Sequence, residues 1–434
     1  MNPTELAAAT GDSAWMLVAA SLVLLMTPAL AFFYSGMTGR AATLNMMMMS
    51  FGALGVVAVV YVLWGWSMSY GTRSIACVVA DPFECFGLHG TVTDDAGEYL
   101  VGANGYANII DVGFQLTFAV ISTAIISGSL AAALFGADAE DEAIIEPIDF
   151  AGGTVVHISA GTAALVLALV VGKRRGFPGN VSRPSSLPLV MLGAAMLWFG
   201  WFGCNGGSAF AADGLAGLAW LNTTVAAAAA MLGWLFCERL RDGRPTSLGA
   251  ASGVVAGLVA VTPAAGDLVP ATAVLLGAIG GVLACLGVGL KYRFGYDDSL
   301  DVVGVHLVAG LWGTVGVGFI ATDTGLFTGG GVNGLKLLAI QVIIAVVAML
   351  FAGAVTAVIA LALAKTVGWR VDAEAEHDGI DLAEHAESAR DLGGDRPGTS
   401  RGALAAPVES KATVPTVPAV PREVPATGRD ERDA

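Results

Sequence analysis

The sequence predicts an all-α polytopic membrane protein built as a helical bundle, and three observations carry that reading. Of its 434 residues, 55% are hydrophobic and only 13% are charged, far from the balance of a soluble globular domain. The apolar residues gather in long runs, among them 14–36, 43–70 and 335–365, each able to cross about 30 Å of hydrocarbon as a helix. No segment has the period-two alternation over about ten residues that marks the strands of a membrane barrel.

Taken in order, the apolar runs define ten spans: 14–36, 43–70, 109–135, 150–172, 185–205, 216–237, 247–264, 268–290, 302–320 and 335–365. The first is expected to be retained, because Met1–Ser13 holds Glu5 and Asp12 but no Lys or Arg and so lacks the basic start of a cleaved signal peptide. Residues 1–13 then form an extracellular N-terminus and 14–365 a transmembrane domain. Beyond it lie an acidic cytoplasmic region, 366–392, and a Pro-, Arg- and Glu-rich tail, 393–434, whose composition predicts disorder.

Orientation follows from the loops. Those with Arg40, Lys173–Arg175, Arg239–Arg244, Lys291–Arg293 and Lys365–Arg370 belong on the cytoplasmic side by the positive-inside rule. The stretches around Asp81–Glu98, Asp213, Asp267 and Asp323 carry almost no basic residues and belong outside. The alternation is clean from Met1 to Tyr70 and again from Asp149 onward, but the two parts do not join. Span 109–135 must run inward from the outer loop, and span 150–172 must also run inward to reach Lys173–Arg175. One crossing is missing between residues 135 and 149. The linker there holds Asp138, Glu140, Asp141, Glu142 and Glu146 and is too short and charged to span a bilayer.

Several function classes fall away. A net charge of −15 makes nucleic acid an unsuitable partner. The five cysteines have no metal-ligand spacing; Cys204, Cys237 and Cys285 lie in apolar spans, and Cys77 and Cys85 share one outer loop where a disulfide is an open alternative. Gly329, Gly331 and Gly334 match a dinucleotide fingerprint but sit in a loop with no strand before them. No cofactor and no enzymatic activity are expected.

Two of the five histidines lie inside apolar spans, and both read His-x-x-Ala-Gly: His157 in Val-Val-His-Ile-Ser-Ala-Gly and His306 in Gly-Val-His-Leu-Val-Ala-Gly. The flanking basic loops send the His157 helix inward and the His306 helix outward. Matching residues on antiparallel helices mark an inverted-topology repeat, whose equivalent positions meet near the midplane. Intramembrane histidines in such a place point to a shared functional site.

The segment Asp149-Phe-Ala-Gly-Gly-Thr-Val-Val-His157 resembles the signature of the ammonium transporter (Amt/Rh) family. Trp201-Phe-Gly-Cys-Asn-Gly-Gly-Ser208, Leu248–Gly253 through Val261–Gly266, and Asp297–His306 resemble further family motifs in the expected order, so the likeness covers roughly 14–390. It implies an Amt-type inverted-repeat bundle that assembles as a homotrimer in the plasma membrane and passes ammonium or ammonia.

Carried over by position, the resemblance implies that His157 and His306 are a twin-histidine pair in a narrow hydrophobic pore. An apolar pore strips hydration from ammonium at a cost of several kcal/mol, so the ion is driven to surrender its proton, and imidazoles can accept and relay it. Phe114, Gln115 and Phe118 match an aromatic segment at the outer mouth, and Ser208 matches a hydroxyl that accepts from bound ammonium, with Trp201 alongside. Asp149 resembles a buried, structurally required acid that could cap free backbone amides. Asn205, Asp298 and Asp301 are expected to be structural, the two acids fixing helix ends at the inner mouth.

The sequence departs from the family pattern twice. Cys204 stands where the family usually has a second pore phenylalanine, which leaves the outer pore wider. The missing crossing removes a family helix together with its recruitment-site tryptophan. Gly368–His385 resembles the cytoplasmic region on which a PII-class regulator docks in relatives. An ammonium sensor and a non-conducting divergent member are the alternatives to a transporter; the lack of a fused signalling domain favours transport.

Overall fold

Helix α1 (Pro3–Met37) and helix α6 (Leu187–Gly207) lie against each other along much of their length, because α6 presents glycines where the α1 backbone passes. A methyl group added at Gly203 would stand 2.6 Å from the Ala19 carbonyl oxygen. Such close backbone approach is the usual substitute for hydrophobic driving force between helices in lipid. The computed structural model describes residues 3–75, 79–126, 146–179, 183–368, 370–371, 375–376 and 379–389.

Among the described residues, ten helices are long and apolar enough to cross a membrane. After α1, the second crossing consists of α2 (Thr43–Val60), a π-helical turn (Tyr61–Gly65) and α3 (Trp66–Tyr70). A loop in which Ser74–Ile75 pairs antiparallel with Val79–Ala80 leads to α4 (Asn108–Ile126). Next come α5 (Ser159–Val171), α6, α7 (Gly214–Asp242) and α8 (Ser247–Val261). The chain continues with α9 (Pro270–Val288), the short α10 (Leu290–Phe294), α11 (Ala309–Ile320) and α12 (Gly331–Thr366). The predicted spans and the observed crossings coincide in number and order. The end of predicted span 109–135 and most of the acidic linker lie outside the described residues, as does Cys77, so the linker's side of the membrane and the Cys77–Cys85 pairing stay expectations.

Position in the bundle is set by composition. The crossing Ser247–Ala264, rich in Gly and Ala, is mostly buried, whereas Arg40–Tyr70 and Gly331–Thr366 are mostly exposed. The first is therefore a central strut, and the other two turn apolar side chains such as Val56, Val59 and Leu350 outward. Helix α9 meets α7 through Gly277 and Gly281, each packed on α7 backbone at Ala226 and Ala230. The α7–α8 corner is fixed by a buried acid: Glu238 accepts from Trp234 Nε1 at 3.1 Å and from the Thr246 amide at 2.7 Å. Thr246 Oγ1 in turn caps α8 at the Gly249 amide, 2.8 Å away.

The C-terminal region returns to the end of the bundle where the basic loops cluster. Buried Asp381, in the short helix Ile380–His385, accepts from the amides of Leu44 and Asn45 at 3.0 and 2.8 Å and so caps α2 from outside. His385 Nε2 stands 3.1 Å from Asn45 Oδ1. Arg370 pairs with Glu376 at 2.8 Å and donates to the Lys173 carbonyl, while Glu376 takes the Arg175 amide; these bonds hold the Glu376 carboxyl below its ordinary range. Removing the charged cap in Asp381→Ala should cost the docked segment about 2 kcal/mol. Hydrogen exchange at 379–389 is expected to accelerate strongly in the variant, and unchanged protection would show that the cap does not hold the segment.

Candidate functional site

The two halves of the fold build the same local unit twice. His157 lies in the π-helical turn Gly153–Ile158 that opens into α5, and His306 lies in the π-helical turn Val303–Val308 that opens into α11. Each turn has an acid eight residues before its histidine. Asp149 accepts from the Thr154 amide at 2.9 Å and the Val155 amide at 3.3 Å; Asp298 accepts from Val302 at 3.1 Å and Val303 at 2.8 Å. These are the first free amides of a helix, which need an acceptor when buried. Burial pushes both carboxyls up, to about 6, while the amide bonds pull the other way. Asp301, at a positive φ of 61°, is paired with Lys291, whose ammonium also donates to the Asp298 carbonyl at 3.1 Å. This equal Asp-to-His spacing is a repeat signal in the sequence that the His-x-x-Ala-Gly comparison alone misses.

Glycine explains the rest of the shared motif. An added methyl at Gly161 would meet the Leu307 amide nitrogen at 2.5 Å, and one at Gly310 would meet His157 Cβ at 3.3 Å. Each half thus lends a flat spot to the other half's histidine turn. The result is direct contact: His306 Nδ1 is 3.3 Å from His157 Nδ1, with ring centroids 5.3 Å apart, and both side chains are buried. Trp201 stacks on His157 at 5.3 Å and 26° and donates to Thr262 Oγ1 at 2.9 Å. On the other flank Tyr34 Oη is 3.5 Å from His306 Nε2.

Toward the loop-rich side, a cavity of about 470 Å³ is lined by Phe114, Gln115, Phe118 and Ser208, all four expected at the mouth. Phe114 and Phe118 meet edge to face at 5.0 Å and 75°. The Ser208 hydroxyl donates to the Cys204 carbonyl at 2.8 Å, which leaves its lone pairs free to accept. Cys204 itself is buried and does not line this cavity. Beside Phe114 stands another ring instead: Phe210, at a positive φ of 55°, meets it edge to face at 5.8 Å and 82°. Tyr61 and Tyr70 of the second crossing and Phe150 and Phe210 outside the helices also line the cavity; no spacing in the sequence marks them as site residues, because packing alone decides which rings face a cavity. Asn205 lies deeper and donates to Thr223 Oγ1 at 2.9 Å, tying α6 to α7.

The sequence profile of the Ammonium Transporter Family matches residues 14–135 and 135–390. The chain belongs to that family. The ammonium transporter of Mycobacterium tuberculosis strain H37Rv is 46% identical over 88% of this chain and 90% of its own length. Among solved structures, Candida albicans Mep2 aligns with a TM-score of 0.76 at 25% identity, covering 90% of this chain and 95% of that one. A structure described as a sensor Amt protein aligns with the same TM-score at 25% identity and is covered in full.

The break in the profile falls at residue 135, where the count of crossings also fails. The mycobacterial alignment runs over 435 positions yet takes in 88% of the 434 residues, so about fifty of its positions have no residue here, more than the ~20 of a membrane crossing. The protein is thus a multi-pass membrane member of the ammonium transporter family.

Proposed function

We propose that the protein moves ammonium nitrogen across the plasma membrane as ammonia. Ammonium is recruited in the outer cavity between the Phe114 and Phe118 rings and the Ser208 hydroxyl, gives up its proton, and ammonia continues past Trp201 and the His157–His306 pair. The contact between the two buried imidazoles carries this reading. A hydrogen bond between two Nδ1 atoms needs one N–H and one lone pair, so the outward Nε2 atoms are of opposite kind, one acceptor and one donor. Such a pair can take a proton at one end and release one at the other by exchanging tautomers. In this reading the N-terminus is outside, the C-terminus is cytoplasmic, the protein is a homotrimer with one pore per subunit, and the docked segment around Asp381 is where a PII-class regulator would bind.

The test is uptake of labelled methylammonium by the full-length protein in a host without ammonium uptake of its own. Saturable uptake is expected. Ser208→Ala should weaken apparent affinity about tenfold, the worth of one hydrogen bond from a charged donor, with little change in the amount of protein in the membrane. A second reading, a non-conducting member, draws on the missing helix; folded protein in the membrane with no uptake above the empty host would favour it and overturn the transporter reading.

A further inference from the structure

The outer cavity is much larger than its proposed cargo. An ammonium ion is comparable with a water molecule, which occupies about 30 Å³, whereas the cavity holds about 470 Å³. Pockets of that size enclose small organic molecules. Its wall is also unusual for a site meant only for a small, strongly hydrated ion. Six rings contribute to it, Tyr61, Tyr70, Phe114, Phe118, Phe150 and Phe210, and among the described residues none that lines it carries a formal charge. Its polar side chains are hydroxyls and the Gln115 amide. Tyr70 is backed by Trp66, stacked at 4.2 Å and 24°, which holds its ring rigidly at the rim. Phe114 meets Phe118 and Phe210 at steep angles of 75° and 82°, so no ring of the three is covered by a parallel neighbour.

Charge-free aromatic walls favour one kind of cation. A quaternary ammonium spreads its charge over methyl groups, is weakly hydrated and satisfies several ring faces at once. Its methyl groups also bury apolar area, which a bare ammonium ion cannot do. We propose that this cavity is an aromatic cage that binds quaternary ammonium ions, and that they act there as blockers. Binding follows from the cavity alone; the blocking rests on the transporter reading. With no N–H, such an ion has no proton to surrender, and it is too costly to carry as a cation into an apolar pore. It therefore stays above the His157–His306 pair and occludes the entrance.

The experiment is calorimetric titration of purified full-length protein with choline, tetramethylammonium and 3,3-dimethylbutan-1-ol, the neutral isostere of choline, with potassium as the small-ion control. Choline is expected to bind at least about tenfold tighter than its isostere, the difference made by the ring faces. Phe210→Leu and Tyr70→Leu, tested singly and together, keep the wall apolar while removing a face. The double variant should lose about tenfold in choline affinity while eluting from a sizing column as the parent does. In cells, choline should inhibit methylammonium uptake competitively without being taken up itself. Equal binding of choline and its isostere, or undiminished choline binding in the well-folded double variant, overturns the proposal. Methylammonium uptake without choline binding would overturn the cage alone, and choline binding without uptake would overturn the transporter reading alone.

Discussion

Replacing His157 or His306 with alanine is expected to reduce methylammonium uptake to the level of the empty host, or to let potassium compete where it did not before. The two rings touch each other at 3.3 Å, and each has an aromatic residue beside it, Trp201 for His157 and Tyr34 for His306. Loss of either leaves the remaining imidazole without its proton partner and opens a channel for water between α5 and α11. Relay by a positioned imidazole contributes on the order of a hundredfold or more to a proton-transfer step, so partial loss is not expected. The bundle should still assemble, because its helices are joined by glycine contacts and by the Asp149 and Asp298 caps, not by the rings. Wild-type uptake with unchanged discrimination against potassium in both variants would remove the histidines from the transport path.

Gly161→Val is expected to destroy the fold around the site. Even one added carbon would stand 2.5–2.7 Å from the Leu307 backbone, and backbone cannot swing aside as a side chain can. Forced overpacking of this kind costs about 3 kcal/mol, a large share of the stability of a typical domain. The variant should be recovered in the membrane at much lower yield and unfold at lower temperature. Gly113, whose position has open space on the side where a Cβ would point, is the control: Gly113→Ala should be recovered as the parent is. Equal yield and thermal stability of Gly161→Val and the parent would contradict the described crossing of α5 and the His306 turn.

Much of this architecture is legible in the sequence because lipid imposes strict rules. A crossing needs an unbroken apolar run, and loops sort by basic residues, so the ten helices and the failure of parity near residue 135 can be read directly. Ends are less legible. Helix α1 begins at Pro3, well before the apolar run at 14, because a helix can continue into water past Glu5 and Asp12. Helix α6 starts at Leu187 because Ser186 caps the Leu189 amide. The histidine pair is legible because the repeat writes the same motif twice. Tyr34 is not: it is 272 residues away from His306 in sequence, on a helix whose rotation only packing determines. Phe210 is hidden for a related reason, since its ring reaches Phe114 from the loop after α6 through a left-handed backbone.

Helix α8 bears on how the chain enters the bilayer. Its crossing hides most of its surface from lipid, and its sequence, Ser-Leu-Gly-Ala-Ala-Ser-Gly-Val-Val-Ala-Gly-Leu-Val-Ala-Val, is correspondingly rich in residues too small to reward a hydrocarbon environment. Insertion is driven mainly by Leu, Ile, Phe and Val; α8 supplies two Leu and four Val among its fifteen residues, with no Ile or Phe. Alone in the translocation channel it would leave for the lipid only reluctantly. With α7 and α9, whose glycines and alanines are cut to its shape, it becomes the middle of a three-helix package. The biogenesis of the protein is therefore expected to pause at this point of synthesis until α9 has emerged, with α7, α8 and α9 released into the membrane together.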